Sequence, residues 1–223
     1  VTIRRTEPGF VRPVLAVGLV LLAAVFAFAD DKALPYNPFT SAIKGDWSVC
    51  TGTMSLVPAG KSEGRTERAT FVVRILEAER WTVKVGLTQT VAGIALAEQR
   101  AALDPHESLS VESFLNLNDA GGPPADAVVA SIETRTAAGR GFACRKVTCH
   151  MDVRGTKETV SLWLSPEVRG WGLVALSIAG VTKDGGKLSI EVELAGYGND
   201  KRTDWGKRPE ELEPRKPDPP DPK

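Results

Sequence analysis

Period-two alternation of apolar and polar positions dominates the chain after its first few dozen residues. Over 81 to 87, Trp81, Val83, Val85 and Leu87 fall on one side and Thr82, Lys84 and Gly86 on the other. Successive side chains of a strand point to opposite faces, so this pattern predicts a strand buried on one face. Phe71, Val73 and Ile75 alternate in the same way just before it. The intervening "EAER" is short enough for a hairpin, which makes the two runs antiparallel neighbours.

The pattern returns in the second half. Val128, Ala130 and Ile132 form a weak run, Val147, Cys149, Met151 and Val153 a better one, and Val160, Leu162 and Leu164 follow "RGTKE". Val174, Leu176 and Ile178 come next, and Leu188, Ile190, Val192 and Leu194 then alternate with Ser189, Glu191 and Glu193. "TKDGGK" between the last two is a hairpin turn, because glycine adopts positive φ without steric cost. Successive strands with short links predict a mainly β fold. The expected form is an antiparallel meander shaped into a curved sheet or half-barrel, with at most one or two short helices. Residues 94 to 103, "IALAEQRAAL", are good helix formers, yet Ile94 and Leu96 alternate, so helix and strand both stay open. Residues 108 to 117 fit a strand or one or two helical turns capped by Ser108 or Ser110. "NDAGGPPAD" after them is turn material that splits the domain into two sheet-forming halves, neither large enough to stand alone.

The ends differ from this body. Arg4, Arg5 and Arg12 precede an apolar run from Val14 to Ala29 that closes on Ala27-Phe28-Ala29. A basic region, a short apolar core and a small-x-small site predict a signal peptide over 1 to 29. The run is shorter than the ~20 apolar residues that span a bilayer, so no stable span is expected after cleavage. An exported protein, periplasmic or extracellular, follows. Residues 30 to 198 form the single β-rich domain. Residues 199 to 223 are polar and proline-rich, with Trp205 and Leu212 as their only large apolar groups, and are expected to be a disordered tail. With 1 to 29 removed, the 28 basic and 28 acidic residues fall to 25 and 27, since three arginines and Glu7 go. That balance gives no electrostatic reason to bind nucleic acid.

Cys50, Cys144 and Cys149 are an odd count for an oxidising compartment. In one strand Cys144 and Cys149 would be about 16 Å apart at ~3.3 Å per residue and on opposite faces, beyond the ~7 Å between Cα atoms that a disulfide allows. A bond from Cys50 to one of them, or three buried thiols, remain open, with the pairing undefined.

Catalytic signatures are missing or broken. "GVTKDGGK" is one residue too long for a phosphate loop, and Leu188 stands where Ser or Thr would hold magnesium. "GRGFAC" lacks the third glycine of a dinucleotide fingerprint. His106 and His150 are the only histidines; His106-Glu107 has no second histidine four residues on, and Cys144, Cys149 and His150 lack closed metal-ligand spacing. No catalytic residue, metal or cofactor is assigned. A carboxylate-based hydrolase could still draw on Asp104, Glu107, Glu133 or Glu167. Trp47 and Trp81 sit among apolar neighbours and are expected in the core, whereas Trp163 alternates with Ser161 and Ser165 on the face read as polar. An aromatic there is a contact candidate.

The segment "LWLSPEVRGWGLVALSI", 162 to 178, is read as a hairpin. Pro166 has no N–H for the ladder, and Gly170 and Gly172 let the chain turn. Glu167 and Arg169 at its tip join Trp163 as candidate ligand or partner contacts. Trp163, Ser165, Val168, Gly172, Leu173 and Val174, followed by Glu193, Leu194, Tyr197 and Gly198, resemble the C-terminal half of exported bacterial β-rich proteins of uncharacterised function. Gly45 to Trp47, "GDW", resembles their first strand, and Arg169 stands where they carry proline. These strands are in turn similar to the half-barrels of periplasmic lipoprotein carriers (LolA-like), whose concave face holds acyl chains. The resemblance implies an exported, non-enzymatic protein with an apolar or lipid-like ligand on a curved sheet. A structural or protein-interaction module of the cell envelope is the alternative, with an envelope protein in place of the apolar small molecule.

Overall fold

The computed structural model describes residues 37–107, 129–153 and 155–212. The expectations for 1 to 29, for 108 to 117, for "NDAGGPPAD" and for 213 to 223 lie outside them. The described strands are β1 (Asp46–Val57), β2 (Arg65–Ala78), β3 (Val83–Val91), β4 (Ile94–Ala95), β5 (Gln99–Leu103), β6 (Val129–Ala137), β7 (Arg140–Val153), β8 (Thr156–Leu164), β9 (Leu173–Val181), β10 (Lys187–Asn199) and β11 (Arg202–Gly206). One short helix, α1 (Pro209–Leu212), follows.

All strands join one open, curved antiparallel sheet in the order β4-β3-β2-β1-β10-β9-β8-β7-β6, with β5 also on β3 and β11 also on β10. The fold is thus mainly β, as the alternation predicts. The sheet consists of two meanders, β1 to β5 and β6 to β11, joined where β1 runs antiparallel to β10 from Asp46↔Asn199 to Val57↔Lys187. A register shift between Val49 and Cys50 marks a bulge in this seam. At the far edge the sheet coils strongly: Arg135 of β6 reaches Glu193 of β10 at 2.8 Å although three strands lie between them.

Paired residues share a face, so the register sorts the core. Phe71, Cys50 and Leu194 form one cross-strand row, and Ala69, Gly52, Val192, Leu176, Leu162 and Val147 the next. These positions are buried apart from Gly52, which is partly so, and each fully buried large apolar side chain contributes about 1.5–3 kcal/mol. β1 is buried on both faces. Trp47 and Val49 form a separate cluster with Val72, against which Ala195 and Leu212 pack.

Residues 94 to 103, open between helix and strand in the sequence, form two strands, β4 and β5. Other sequence expectations are corrected. Trp81 is 59% exposed, because β3 begins only at Val83 and Glu79 N–H donates to Thr82 O at 2.9 Å in the turn before it. Ile132 is also exposed rather than core. The stretch read as a disordered tail contributes β11 and α1 as far as Leu212. Tyr197 pairs with Trp205, and Arg74 on β2 holds Glu210 at 2.9 Å.

Gly52 marks the tightest point of the seam. A Cβ there would lie 1.8 Å from Glu191 O and 2.7 Å from Val192 Cα, both backbone atoms of β10. Gly52→Ala must therefore push β1 off β10 and is expected to cost about 3 kcal/mol in urea unfolding. Gly141→Ala, whose Cβ meets only Thr134 Cγ2 at 3.4 Å, is expected to change stability by less than about 1 kcal/mol.

Candidate functional site

The apolar face of the sheet carries two polar interruptions. On β3 the inward series Val83, Val85, Leu87, Gln89, Val91 places Gln89 opposite Phe71, and Gln89 is 1% exposed. Neither Nε2 nor Oε1 of Gln89 has a hydrogen-bond partner. Gln99 on β5 pairs with Leu87 and is thus a diagonal neighbour of Gln89 on the same face; its Oε1 is also buried and unpartnered. Across the sheet, Glu158 on β8 lies opposite Met151 and Gly180, in line with Val160 and Leu162. Burial pushes its carboxyl up to about 7, and the negative charge of Asp152 adds to this.

One end of the sheet is covered by two loops. Residues 37 to 45 put Phe39 into the main core, and Asn37 Nδ2 donates to the carbonyls of Asp104 and Glu107 at 3.2 and 3.0 Å. The β8–β9 loop is closed by Ser165 N–H donating to Gly172 O at 2.8 Å, and it buries Val168 and Trp171. Its Gly170, at φ +79, comes so near β1 that a Cβ would lie 3.1 Å from Ser48 N. Between the loops is a cleft of about 250 Å³ lined by Pro38, Ser41, Ala42, Asp46 and Pro166 to Gly170.

The structure brings Glu167 and Arg169 into this cleft but gives each an intramolecular partner. Arg169 Nε donates to Asp204 at 2.7 Å, and Nη1 lies 3.4 Å from Asp46, which is 1% exposed. Asp46 also accepts from Ile43 N–H and from Asn199 Nδ2, both at 3.0 Å. Glu167 accepts from Arg140 at 3.0 Å. Trp163 is away from the cleft and, contrary to its reading as an exposed aromatic, is only 7% exposed. The Arg135 guanidinium and the Lys146 ammonium lie 4.7 and 4.9 Å from its ring centroid, and its Nε1–H donates to Glu133. The exposed indole is Trp81, edge-on to His106 at 5.2 Å.

Cys50, Cys144 and Cys149 are buried thiols, not a disulfide. Burial pushes Cys50 up to about 12 and raises Cys144, so both stay protonated and poorly nucleophilic near neutral pH. The four acids available to a hydrolase are not gathered: Asp104 and Glu107 follow β5, Glu133 lies on β6, and Glu167 lies in the β8–β9 loop. Among the described residues no group of three or more His, Cys, Asp or Glu could hold a metal. No helix among them is long and apolar enough to cross a membrane.

These elements define an open, half-barrel-like antiparallel β protein with one apolar face. No family model matches the chain, and no curated protein matches it. Among solved structures it is similar to a putative outer membrane lipoprotein-sorting protein domain from Vibrio parahaemolyticus. The two are 11% identical with a TM-score of 0.21, over 74% of this chain and 88% of that chain. A likeness at that level carries no argument about what this chain binds.

Two outcomes test these polar positions. The carboxyl of Glu158 is raised above its unfolded value, so its contribution is full below about pH 4.5 and is lost as pH rises through about 7. Glu158→Gln is expected to gain on the wild type by up to about 3 kcal/mol between pH 5 and pH 9 in urea melts. Arg169→Ala leaves buried Asp46 without its cation and should lower stability by about 2 kcal/mol, whereas a role only in partner contact would leave the melt unchanged.

Proposed function

We propose that this is an exported, non-enzymatic protein of the cell envelope that binds an apolar, lipid-like ligand against the apolar face of its sheet. The observation that carries this reading is a sheet whose edges, β4 and β5 at one end and β6 at the other, do not pair with each other, and whose cross-strand rows are apolar on one face. The rows on this face are buried, so an apolar ligand would occupy space between the sheet and whatever covers it, a mostly apolar setting with few polar groups, the usual make-up of a small-molecule site. Protonated buried thiols and carboxylates dispersed over separate elements support a binding role over a catalytic one.

Native mass spectrometry of protein purified without detergent should show a co-purifying apolar adduct, released by solvent extraction. The delipidated protein should take up a fluorescent fatty-acid probe that unlabelled lipid displaces. Protein with no adduct and no probe uptake would be incompatible with this function.

A further inference from the structure

We propose that the free edge of β6 pairs antiparallel with β6 of a second copy of this chain, about a two-fold axis at Thr134. The inference is independent of the ligand reading.

The open edge follows from the hairpin. β6 and β7 are joined by two residues with positive φ, Ala138 at +42 and Gly139 at +83, the geometry of a type I′ turn. Such a turn is closed by hydrogen bonding between the residues that flank it, here Ala137 and Arg140. Hydrogen-bonded pairs alternate along an antiparallel ladder, and the register runs unbroken from Ala137↔Arg140 to Val129↔Thr148. Ser131, Glu133 and Arg135 therefore bond β7, while Ile132, Thr134 and Thr136 turn their N–H and C=O groups outward. No described strand pairs with that side. Residues 131 to 134 and Thr136 are exposed, Ile132 by 83%. A row of open backbone groups beside an exposed isoleucine is a template for another strand.

β6 carries its own complement. Glu133 and Arg135 are its only charged residues. A two-fold axis at either of them sets like charges directly opposite, and an axis at Ile132 places Ser131 and Val129 opposite the two charges. An axis at Thr134 sets Glu133 of each copy opposite Arg135 of the other, the stabilising cross-strand arrangement. That register also matches the outward groups: Thr134 meets Thr134 and Ile132 meets Thr136, with about six backbone hydrogen bonds in all. Both charged side chains have room for a second partner. Glu133 is 40% and Arg135 34% exposed, Arg135 gives Nη2 to Glu193, and Glu133 accepts from Trp163 through Oε1. An unrelated strand could use the backbone groups, but the charge order selects β6. One short ladder buries less than the ~1,600 Å² of a standard interface, so the dimer is weak.

Sedimentation velocity of the full chain, run from micromolar to near-millimolar concentration, should show monomer passing to dimer. Glu133→Lys and Arg135→Glu each set like charges opposite one another and should weaken the dimer at least about tenfold. Mixed in equal amounts, the two variants regain opposite charges at both pairs and should associate as the wild type does. Thr134→Pro removes an outward N–H and should abolish the dimer while leaving the urea midpoint of the dilute monomer unchanged. A wild type that stays monomeric, a dimer that the single charge variants leave intact, or a mixture that stays monomeric would overturn the proposal. So would a Thr134→Pro chain that fails to fold, since that N–H would then belong to the β7 ladder.

Discussion

The antiparallel pairing of β1 with β10 is the contact on which the rest of the architecture depends. It joins the first described strand to one of the longest of the second meander, from Asp46↔Asn199 to Val57↔Lys187, and turns two incomplete sheets into one. Neither meander alone covers both faces of its end strand. Once joined, β1 is central and must be buried on both sides. Residues Asp46 to Cys50 are all buried for this reason, and the Trp47–Val49–Val72 cluster needs a cover of its own. Leu212 packs there, and the Arg74–Glu210 ion pair ties α1 to β2. The order of 202 to 212 is therefore a consequence of the seam, not an independent feature.

The same seam explains the β8–β9 loop. Asp46 ends the pairing as a buried carboxylate, and burying such a charge is costly unless it is paired and hydrogen-bonded. Its partners come from three places distant in sequence: Ile43 N–H, Asn199 Nδ2 and the Arg169 guanidinium. Arg169 also binds Asp204 of β11. One arginine thus fastens the loop to the start of β1 and to the last strand. This is a structural use for a side chain that looks, in isolation, like the tip of an exposed hairpin. Gly170 has the same logic, since its lack of a side chain lets the loop lie directly on the backbone of β1.

Most of the strands were legible because one-sided burial writes a period of two into the sequence. Val83 to Leu87, Val160 to Leu164 and Leu188 to Leu194 all fall on the face that the alternation assigns them. The errors share a physical origin. Alternation gives a residue's side but not whether the strand has begun, so Trp81 was placed inside a strand that starts two residues later. It also does not say which long side chains meet a residue across the sheet: Lys146, the direct partner of Trp163 on β7, and Arg135 from β6 both lie over the ring and turn a nominally outward indole into a buried one. Composition misjudged 199 to 212, because two large apolar residues are few on average yet enough when each meets a waiting patch: Trp205 packs edge-on against Phe142 at 5.3 Å, and Leu212 covers Trp47. Gln89 does leave a signal in the sequence. It occupies the next inward position after Leu87, where the run Val83, Val85, Leu87 leads one to expect another apolar residue.

Polar residues on an otherwise apolar face invite a common explanation. A buried amide with no partner costs about 1–3 kcal/mol, and an apolar residue of similar volume at position 89 would avoid that cost. Glu158 poses the same question at the opposite end of the sheet, where burial holds its carboxyl near 7 and so largely uncharged in mildly acidic solution. Gln89 lies on β3, beside the β5 edge, and Glu158 lies one same-face row in from the β7–β8 turn, which the Val153↔Thr156 pair adjoins. The centre of this face is apolar, and its polar interruptions are an amide and a carboxyl that burial keeps largely uncharged. Local rules broken at a cost are most often broken where a protein functions, and on this sheet they are broken at Gln89 and Glu158.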